Sequence, residues 1–179
     1  MSKEQVFTQN GEPLIGLSVE RDEFRDRLDY LMGTAHIWVW RYGASGVEMM
    51  LQKRSMAKKT HPGMLSTSAA GHIDVGETAI EAAVREAKEE IGLEIDPQKL
   101  LFVASLNRNI QGNGQNISTM YLYEVGDTYA PVLQKSEVES YEWVSREDFR
   151  AMVTDPTARN LIDHGQAYNE ALFMWFDKV

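Results

Sequence analysis

The sequence predicts an α/β fold in which an N-terminal β-hairpin, a sheet and several helices follow one another along the chain. Asn10-Gly11 lies between two short apolar runs, which is the local chemistry of a tight hairpin turn. Residues 78–91 have strong helical character, and runs of aromatic and β-branched residues, which favour strands, lie on both sides of them. The end of the chain turns helical again, which predicts a C-terminal helix.

The strands are predicted from composition and from turn signals. The segment HIWVWRYGASGVEMMLQKR, which starts at His36, predicts two strands around a Gly-containing turn. Further strands are predicted at residues 100–106, 117–125 and 139–145. Between the hairpin and the sheet we predict a helix, because apolar residues recur there at helical spacing, namely Phe24, Leu28 and Leu31.

The central helix carries signals for both of its ends. Thr78 suits the N-cap position, and Gly92 suits the residue after the last turn, which often adopts a left-handed conformation. At about 100° per residue, the apolar residues of this helix form a narrow stripe. We expect this stripe to face the core, and it consists of Ile80, Val84, Ala87 and Ile91.

The C-terminal part of the chain has a second helix start. Ser145 is followed three residues later by Asp148, a variant of the capping box. A last helix is predicted because apolar residues fall on one face, namely Leu161, Tyr168, Leu172 and Trp175. We expect this face to pack in the core without a chemical role.

Composition and charge exclude several classes of protein. With 179 residues, of which 43% are apolar and 25% charged, the chain is expected to form one globular domain. Its formal net charge of −9 argues against a nucleic-acid polymer as partner, because affinity for a phosphate backbone depends on clustered Lys and Arg. The sequence has no cysteine, which excludes disulfides, thiolate metal sites and a cysteine nucleophile. The first residues lack the apolar segment of a signal peptide, and no stretch is apolar enough to span a membrane, so we expect a cytoplasmic protein without membrane contact.

Three glutamates crowd one side of the central helix. Glu86, Glu89 and Glu90 share a flank of the apolar stripe. Glu86 and Glu90 are four residues apart, a spacing at which like charges destabilise an exposed helix by ~0.2–0.5 kcal/mol. A divalent cation among these carboxylates would remove the repulsion, and Mg²⁺ and Mn²⁺ prefer such oxygen ligands. An acidic helix face in water is the other explanation of this pattern.

The segment GHIDVGETAIEAAVREAKEEIGL, residues 71–93, resembles the Nudix box. It matches all seven fixed positions of that pattern, namely Gly71, Glu77, Arg85, Glu86, Glu89, Glu90 and Gly92. Ala87 is smaller than the aliphatic residue that the box usually has at that position, which affects packing more than chemistry. The resemblance implies that Glu77 and Arg85 form a buried pair that orients the loop before the helix. An ordinary surface ion pair is the alternative for these two residues.

The resemblance also implies a metal site. Glu86 and Glu90 correspond to the principal metal ligands of Nudix hydrolases, and Glu89 corresponds to a third that often shares or bridges ions. Gly71 corresponds to a residue whose backbone carbonyl completes the metal shell, where a side chain would be unwelcome. The expected cofactor is therefore Mg²⁺ or Mn²⁺.

Nudix hydrolases cleave a diphosphate that is linked to another group, X. Divalent ions neutralise charge on the phosphate oxygens, and a glutamate takes a proton from water or positions it. In this family that glutamate is a box residue, here Glu86 or Glu89, or it lies in a loop after the sheet. Glu137 is our candidate in such a loop, and Glu139 is the alternative.

The segment before the box, QKRSMAKKTHPGMLSTSAAGH, resembles type I isopentenyl diphosphate isomerases, which share the Nudix fold but rearrange a double bond. On this resemblance Arg54 and Lys58 correspond to basic residues that hold the substrate's diphosphate. A basic loop in water is the alternative. His36 and His72 correspond to two histidine metal ligands, although we favour a structural role for both because the glutamates already supply a hard-metal site.

Two departures argue against isomerase chemistry. The catalytic cysteine of those isomerases falls at Ala70, and no cysteine elsewhere replaces it. Their paired metal-binding glutamates fall around Gln115 and Ile117. Nearby, the Gly-rich residues 111–116 predict a loop that closes on X or is an ordinary connection.

We therefore predict a Nudix hydrolase from the isomerase-like branch, acting on a nucleoside diphosphate derivative or another organic diphosphate. The fold implied is an α/β/α sandwich with a mixed sheet over residues 1–179, with residues 1–34 as a hairpin and helix extension and residues 35–179 as the Nudix core. A nucleotide-sensing domain without activity and an isopentenyl diphosphate isomerase are the alternatives. The sequence leaves the group X open, and a monomer and a homodimer both remain compatible with it.

Overall fold

The computed structural model of the chain describes residues 3–20, 30–44, 46–110 and 114–178. Within these ranges the chain forms one sheet of nine strands with α-helices on both faces. The strands are β1 (Lys3–Phe7), β2 (Pro13–Glu20), β3 (Leu31–Gly43), β4 (Gly46–Arg54), β5 (Leu65–Ser66), β6 (Ala69–His72), β7 (Leu101–Ile110), β8 (Gly114–Glu124) and β9 (Val138–Ser145). The α-helices are α1 (Ala79–Ile91), α2 (Arg146–Thr154) and α3 (Gln166–Phe176).

Strand β3 lies at the centre of the sheet. It pairs in parallel with β8, from Met32 to Trp40, and antiparallel with β1, β4 and β6. Strand β4 also pairs with β5 and β9, and β8 also pairs with β7. Parallel and antiparallel pairs thus occur together, which confirms the predicted mixed sheet.

The two faces of β3 pack against different helices, because successive side chains of a strand point to opposite faces. Ala35, Ile37 and Val39 belong to the core shared with α1. Trp38 and Trp40 belong to the core shared with α2 and α3. The sheet lies between these two helical layers, which confirms the α/β/α sandwich.

The N-terminal hairpin has the predicted turn. Strands β1 and β2 pair antiparallel, and Gly11 adopts the left-handed conformation with φ 83° between them. The helix predicted from Phe24, Leu28 and Leu31 falls mostly on residues 21–29, which lie outside the described ranges. Leu31 itself begins β3 and is 1% exposed, so its predicted place in a helix is wrong. A buried central strand uses the same apolar residues as a helix face would, and a few residues cannot distinguish the two.

The strands after α1 are close to the predicted ones. Strand β7 begins one residue after the predicted start at 100 and runs four residues beyond the predicted end at 106, while β9 covers the predicted 139–145 with one residue added. The predicted loop at 111–116 is too long, because residues 114–116 belong to β8, and residues 111–113 lie outside the described ranges.

Helix α1 has both predicted caps. The Thr78 side chain accepts a hydrogen bond from the backbone N–H of Glu81, the Glu81 side chain accepts one from the Thr78 backbone, and Gly92 ends the helix with φ 64°. The predicted apolar stripe is partly wrong, because Ile80 is 41% exposed. The face that packs on the sheet instead consists of Ala82, Ala83, Ala87 and Ile91. Alanines let a helix pack close to a sheet. The spacing of large apolar residues alone does not identify such an alanine face as the buried one.

Helix α2 begins as predicted, since the Ser145 side chain accepts a hydrogen bond from the backbone N–H of Asp148. The last helix begins later than predicted, at Gln166, so Leu161 does not belong to it. Leu161 forms an isolated bridge with Leu65 instead and is still buried in the core. No helix in the described ranges has both the length and the apolar character needed to cross a membrane. The domain boundary at residue 35 and the cytoplasmic location stay predictions.

Candidate active site

A polar cleft of about 400 Å³ lies where strand β6 leads into α1. Its walls come from the loop after β4, from β6, from α1 and from the turn before β9. The sheet gathers these segments, because β4 pairs with β9 and β6 pairs with β3. The predicted site residues that line the cleft are Lys58, Gly71, His72, Arg85, Glu86, Glu89, Glu90 and Glu137.

The side chain of Glu86 occupies the space beside Gly71. A Cβ atom at residue 71 would lie 1.8 Å from Glu86 Oε1 and 1.9 Å from Glu86 Cδ. Non-bonded heavy atoms normally stay about 3.5 Å apart, so only glycine leaves the carboxylate in this position. Burial raises the pKa of Glu86, and a cation beside the carboxylate would counter this effect.

Glu90 is the most buried of the three crowded glutamates, with 4% of its surface exposed. Its Oε2 accepts hydrogen bonds from Gln52 Nε2 at 3.1 Å and from the Ala70 backbone N–H at 3.0 Å. Burial is the main cause that raises the pKa of Glu90 to about 7, and the charge of Glu86 adds to it. Both hydrogen bonds go to the same oxygen, so neither of them occupies the other oxygen, Oε1.

Arg85 connects the loop before α1 to the glutamates. Its Nε and Nη2 donate to the two carboxylate oxygens of Glu77, each at 2.8 Å, and Nη2 also donates to the His72 carbonyl at 2.9 Å. Nη1 donates to Glu86 Oε1 at 2.6 Å. The hydrogen bonds to Glu77 are the main cause that raises the pKa of Arg85. The structure thus brings the predicted pair together in a bidentate contact, which fixes the guanidinium beside Glu86.

The donors of the cleft suit a hard divalent ion, because they are carboxylate oxygens and the Gly71 backbone. Glu89 is more open than the other two glutamates, with 54% of its side chain exposed and its Oε2 3.6 Å from Arg85 Nη1. Within the described ranges, no three acidic or histidine side chains converge closely enough to bind one ion as they stand. Arg85 Nη1 lies between Glu86 and Glu89 and places a positive charge beside both carboxylates.

The turn that carries Glu137 is fastened to the end of α1. Two bonds reach the Ile91 carbonyl, from the Val132 N–H at 3.0 Å and the Tyr129 hydroxyl at 3.1 Å, and the Gln134 N–H donates to the Glu90 carbonyl at 3.0 Å. The last carbonyls of a helix lack partners within it, and this loop supplies them. The Glu137 side chain lies across the cleft from the helix and forms an ion pair with Lys58.

Some predicted residues do not line the cleft. Glu77 contacts it through Arg85, and Arg54, Glu139 and His36 have other partners. The Arg54 guanidinium donates to the Thr60 carbonyl at 3.1 and 3.2 Å. Glu139 forms an ion pair with Lys53 at 3.1 Å, and both side chains are exposed. The His36 side chain lies on the other face of the sheet and bonds through Nδ1 to the Tyr168 hydroxyl at 2.8 Å.

Sequence reasoning missed other residues of the cleft. Gln52 holds Glu90, and Glu4, Asp74 and Gln134 are part of the cleft wall. Gln52 lies in a strand and Glu4 in the N-terminal hairpin, far from the box in sequence. Only the pairing of strands reveals their position, and no local pattern signals it.

Comparison with known proteins places the chain in a family. An uncharacterized Nudix hydrolase from Clostridium acetobutylicum is 34% identical over 134 residues, which are 73% of this chain and 59% of that protein. An isopentenyl-diphosphate Delta-isomerase from Escherichia coli is 29% identical over 58% of this chain and 57% of its own length. The chain thus spans less than two thirds of the length of these relatives.

Solved structures share the fold. A Deinococcus radiodurans protein superimposes with a TM-score of 0.64 at 23% identity, covering 85% of this chain and 88% of that one. The NUDIX domain of NrtR from Shewanella oneidensis, solved with ADP ribose, superimposes with a TM-score of 0.57 at 15% identity, covering 74% of this chain and 82% of that one. The model of the NUDIX domain family matches residues 33–164, which include the cleft and the box, and the chain therefore belongs to this family, with both hydrolases and isomerases among its relatives.

Proposed function

We propose that the chain is a Mg²⁺- or Mn²⁺-dependent hydrolase that cleaves the diphosphate linkage of a nucleoside diphosphate derivative or another organic diphosphate. The observation that carries the proposal is the pair of glutamates Glu86 and Glu90 at the wall of the cleft, of which Glu90 is buried and Glu86 is half-buried. Carboxylates are rarely buried without a positive partner. Arg85 reaches Glu86 but does not bond to Glu90.

The residues that would hold the ion are Glu86, Glu89 and Glu90, together with the backbone carbonyl of Gly71. When bound, a divalent ion neutralises the charge that builds on the phosphate oxygens and makes water more acidic. Gln52 and the Ala70 N–H keep Glu90 in one orientation. The contact between Glu77 and Arg85 fixes the loop of Gly71 against the helix.

Lys58 and Glu137 have the two remaining roles in the proposed reaction, which are phosphate binding and proton transfer. Lys58 is a compact charge suited to phosphate oxygens, and in the structure it pairs with Glu137. A bound diphosphate would replace Glu137 as the partner of Lys58 and free the carboxylate. Glu137 then accepts the proton from the water that attacks phosphorus, while the bond to the leaving phosphate oxygen breaks. Glu86 and Glu89 are the alternatives for this base.

Arg54 supports the phosphate through the backbone of its loop. It donates to the Thr60 carbonyl, and its own carbonyl accepts from the Gly63 N–H at 3.1 Å. It therefore closes the loop that carries Lys58, and it supports phosphate binding through that loop.

The proposal is tested with a panel of organic diphosphates, each assayed with Mg²⁺ and with Mn²⁺ for released phosphate species. Glu90→Gln should lower kcat by about 100-fold or more, since even residues behind a metal ligand are worth about 10-fold to 100-fold. Glu139→Gln is the matched control, because it makes the same chemical change outside the cleft. Equal turnover of Glu90→Gln and Glu139→Gln would refute the assignment of the metal site.

The same panel separates the alternatives. Binding of ADP ribose without turnover of any diphosphate would favour a nucleotide-sensing domain, the kind of complex in which the NrtR domain was solved. Conversion of isopentenyl diphosphate would favour an isomerase. We expect no conversion, because Ala70 occupies the position of the isomerase cysteine and the chain has no cysteine.

A further inference from the structure

A basic cluster lies next to the cleft on the opposite face of the sheet, the face covered by α3. We define it as Arg108, His36, His164, Ser118 and Tyr168. His36 Nδ1 bonds to the Tyr168 hydroxyl at 2.8 Å, and the ring of His164 stacks on that of Tyr168 with centroids 4.6 Å apart. The guanidinium carbon of Arg108 lies 4.9 Å from the centre of the Tyr168 ring. The cluster thus surrounds one aromatic side chain with three basic groups.

Most hydrogen-bond donors of this cluster have no protein partner. The guanidinium of Arg108 has five N–H donors, and its one hydrogen bond within the described ranges is a long one, from Nη1 to Ser118 Oγ at 3.4 Å. No carboxylate of those ranges lies within ion-pair distance of it. Both ring nitrogens of His164 are buried without a hydrogen-bond partner in the same ranges.

The charge of the cluster comes from Arg108. Burial, with help from Arg108 and His72, lowers the pKa of His36 to about 3, and burial also lowers the pKa of His164. Both imidazoles are therefore neutral and able to donate one hydrogen bond each. Asp163 is the acidic group that acts on Arg108, but its Oδ1 accepts the Gly165 N–H at 2.8 Å at the start of α3.

A partly buried guanidinium without an ion pair among the described residues is unusual in a chain of net charge −9. Carboxylates are abundant in this sequence, yet none pairs with Arg108 among the described residues. Burying a charge without a partner is unfavourable, because the group loses its hydration. An anionic ligand would supply the missing partner, and a guanidinium matches phosphate and carboxylate oxygens with two parallel bonds.

The position of the cluster connects it to the cleft. His36 is opposite Ala70 in the pairing of β3 with β6, and Ala70 lines the cleft. His72, which also lines the cleft, contributes to the lowered pKa of His36. A substrate that binds in both places would have its diphosphate in the cleft and its group X on the side of the sheet where Arg108 lies.

Resting on the proposed function, we propose that this cluster selects substrates in which X carries an additional anionic group, a phosphate or a carboxylate. Arg108 binds this group through its free N–H donors, and His164 adds a neutral hydrogen bond. The proposal concerns substrate choice, so Arg108 is a specificity residue and takes no part in breaking the diphosphate.

Paired probes that differ by one anionic group test the proposal. NADPH and NADH differ by a phosphate, and UDP-glucuronate and UDP-glucose differ by a carboxylate. We expect kcat/KM to be about 10-fold or more higher for the anionic member of at least one pair, because a hydrogen bond to a charged group changes affinity by that order. The pair that shows the preference identifies the anion.

Arg108→Met should abolish the preference, lowering kcat/KM for the anionic probe while leaving the neutral probe within about twofold. Arg108→Lys keeps the charge and should retain part of the preference. Arg150→Met is the matched control, because Arg150 also stacks on an aromatic ring, that of Phe173 at 4.3 Å, and lies away from the cluster. Melting temperatures of all three variants show whether the fold is intact.

Binding of the same pairs is measured by calorimetry with Glu90→Gln, alone and combined with Arg108→Met. Turnover without an anionic preference, or a preference that Arg108→Met leaves unchanged, overturns the inference and leaves the proposed function standing. Anion-selective binding that depends on Arg108 but comes without turnover by the parent chain supports the inference and overturns the hydrolase proposal. Absence of both turnover and Arg108-dependent binding overturns both.

Discussion

The contact between residue 71 and Glu86 gives a sharp test of the metal site. In Gly71→Ala the new Cβ would lie 1.8 Å from Glu86 Oε1. Ordinary contact requires about 3.5 Å, so the carboxylate must move by roughly 1.5 Å or more. That movement breaks its 2.6 Å hydrogen bond with Arg85 Nη1 and takes the oxygen away from the place where an ion would bind.

The size of the effect follows from the displaced carboxylate. Groups that hold a metal ligand in place are worth about 10-fold to 100-fold in metal affinity, so we expect Mn²⁺ affinity to fall by about that factor. The backbone at Gly71 does not adopt a left-handed conformation. The alanine therefore adds no backbone strain, and the clash with Glu86 is the one change made.

Calorimetric titration with Mn²⁺ measures this loss, with the melting temperature of the metal-free protein as a check on folding. Gly126→Ala is the matched control, because a Cβ there meets nothing within 4 Å and the backbone is again not left-handed. If Gly71→Ala bound Mn²⁺ as tightly as Gly126→Ala, Glu86 would not be a ligand in this position, and the reasoning from the glycine would be refuted.

Three further predictions concern other parts of the molecule. Gln52→Leu should weaken Mn²⁺ binding about 10-fold by releasing Glu90, and it should have no further effect on affinity in Glu90→Gln; an additive loss would contradict this. The pKa of His36 is lowered from 6.5 to about 3, and that of His164 is lowered too, so the unfolded chain binds more protons as the pH falls below about 6.5. His36 should therefore remove about 2 kcal/mol of stability at pH 5 relative to pH 8, and His164 should act in the same direction. Urea unfolding that shows equal stability at both pH values would be inconsistent with neutral buried imidazoles. Thr78→Ala should lower the free energy of unfolding by about 1 kcal/mol through loss of the capping box, whereas an unchanged melting temperature would show that the cap contributes nothing.

Local signals predict the parts of the fold that depend on local chemistry. The caps of α1 and the start of α2 can be predicted because a side chain near a helix end bonds to a backbone group a few residues away. The prediction for Ile80 is wrong because apolar spacing favours large side chains, whereas small alanines allow the close approach of α1 to the sheet. The prediction that Leu161 belongs to the last helix is wrong because the apolar spacing continues across Gly165, where the φ of 87° interrupts the helix.

The residues of the candidate site also differ in whether a local sequence signal predicts them. The structure gathers the box residues as expected, because they lie on one helix and the loop before it. Gln52 and Arg108 have no local signal, because Gln52 contacts a residue of α1 and Arg108 contacts a residue of the neighbouring strand, both distant in sequence. Arg54 is expected in the cleft, but its guanidinium binds a carbonyl of its own loop, a choice among rotamers that the sequence does not reveal.

The loop between β8 and β9, which carries Glu137, is hydrogen-bonded to the end of α1. This arrangement affects how insertions in the chain would alter the candidate site. The Glu90 and Ile91 carbonyls bind this loop at one end, and the Glu137 carbonyl accepts a hydrogen bond from the Ser55 N–H after β4 at the other. The loop therefore links the end of α1 to the sheet beside the cleft, and the candidate base Glu137 is fixed relative to Glu90 by backbone bonds on both sides. An extra residue between Gln134 and Glu137 would change the distance between the two carboxylates directly, whereas an extra residue outside this loop would not.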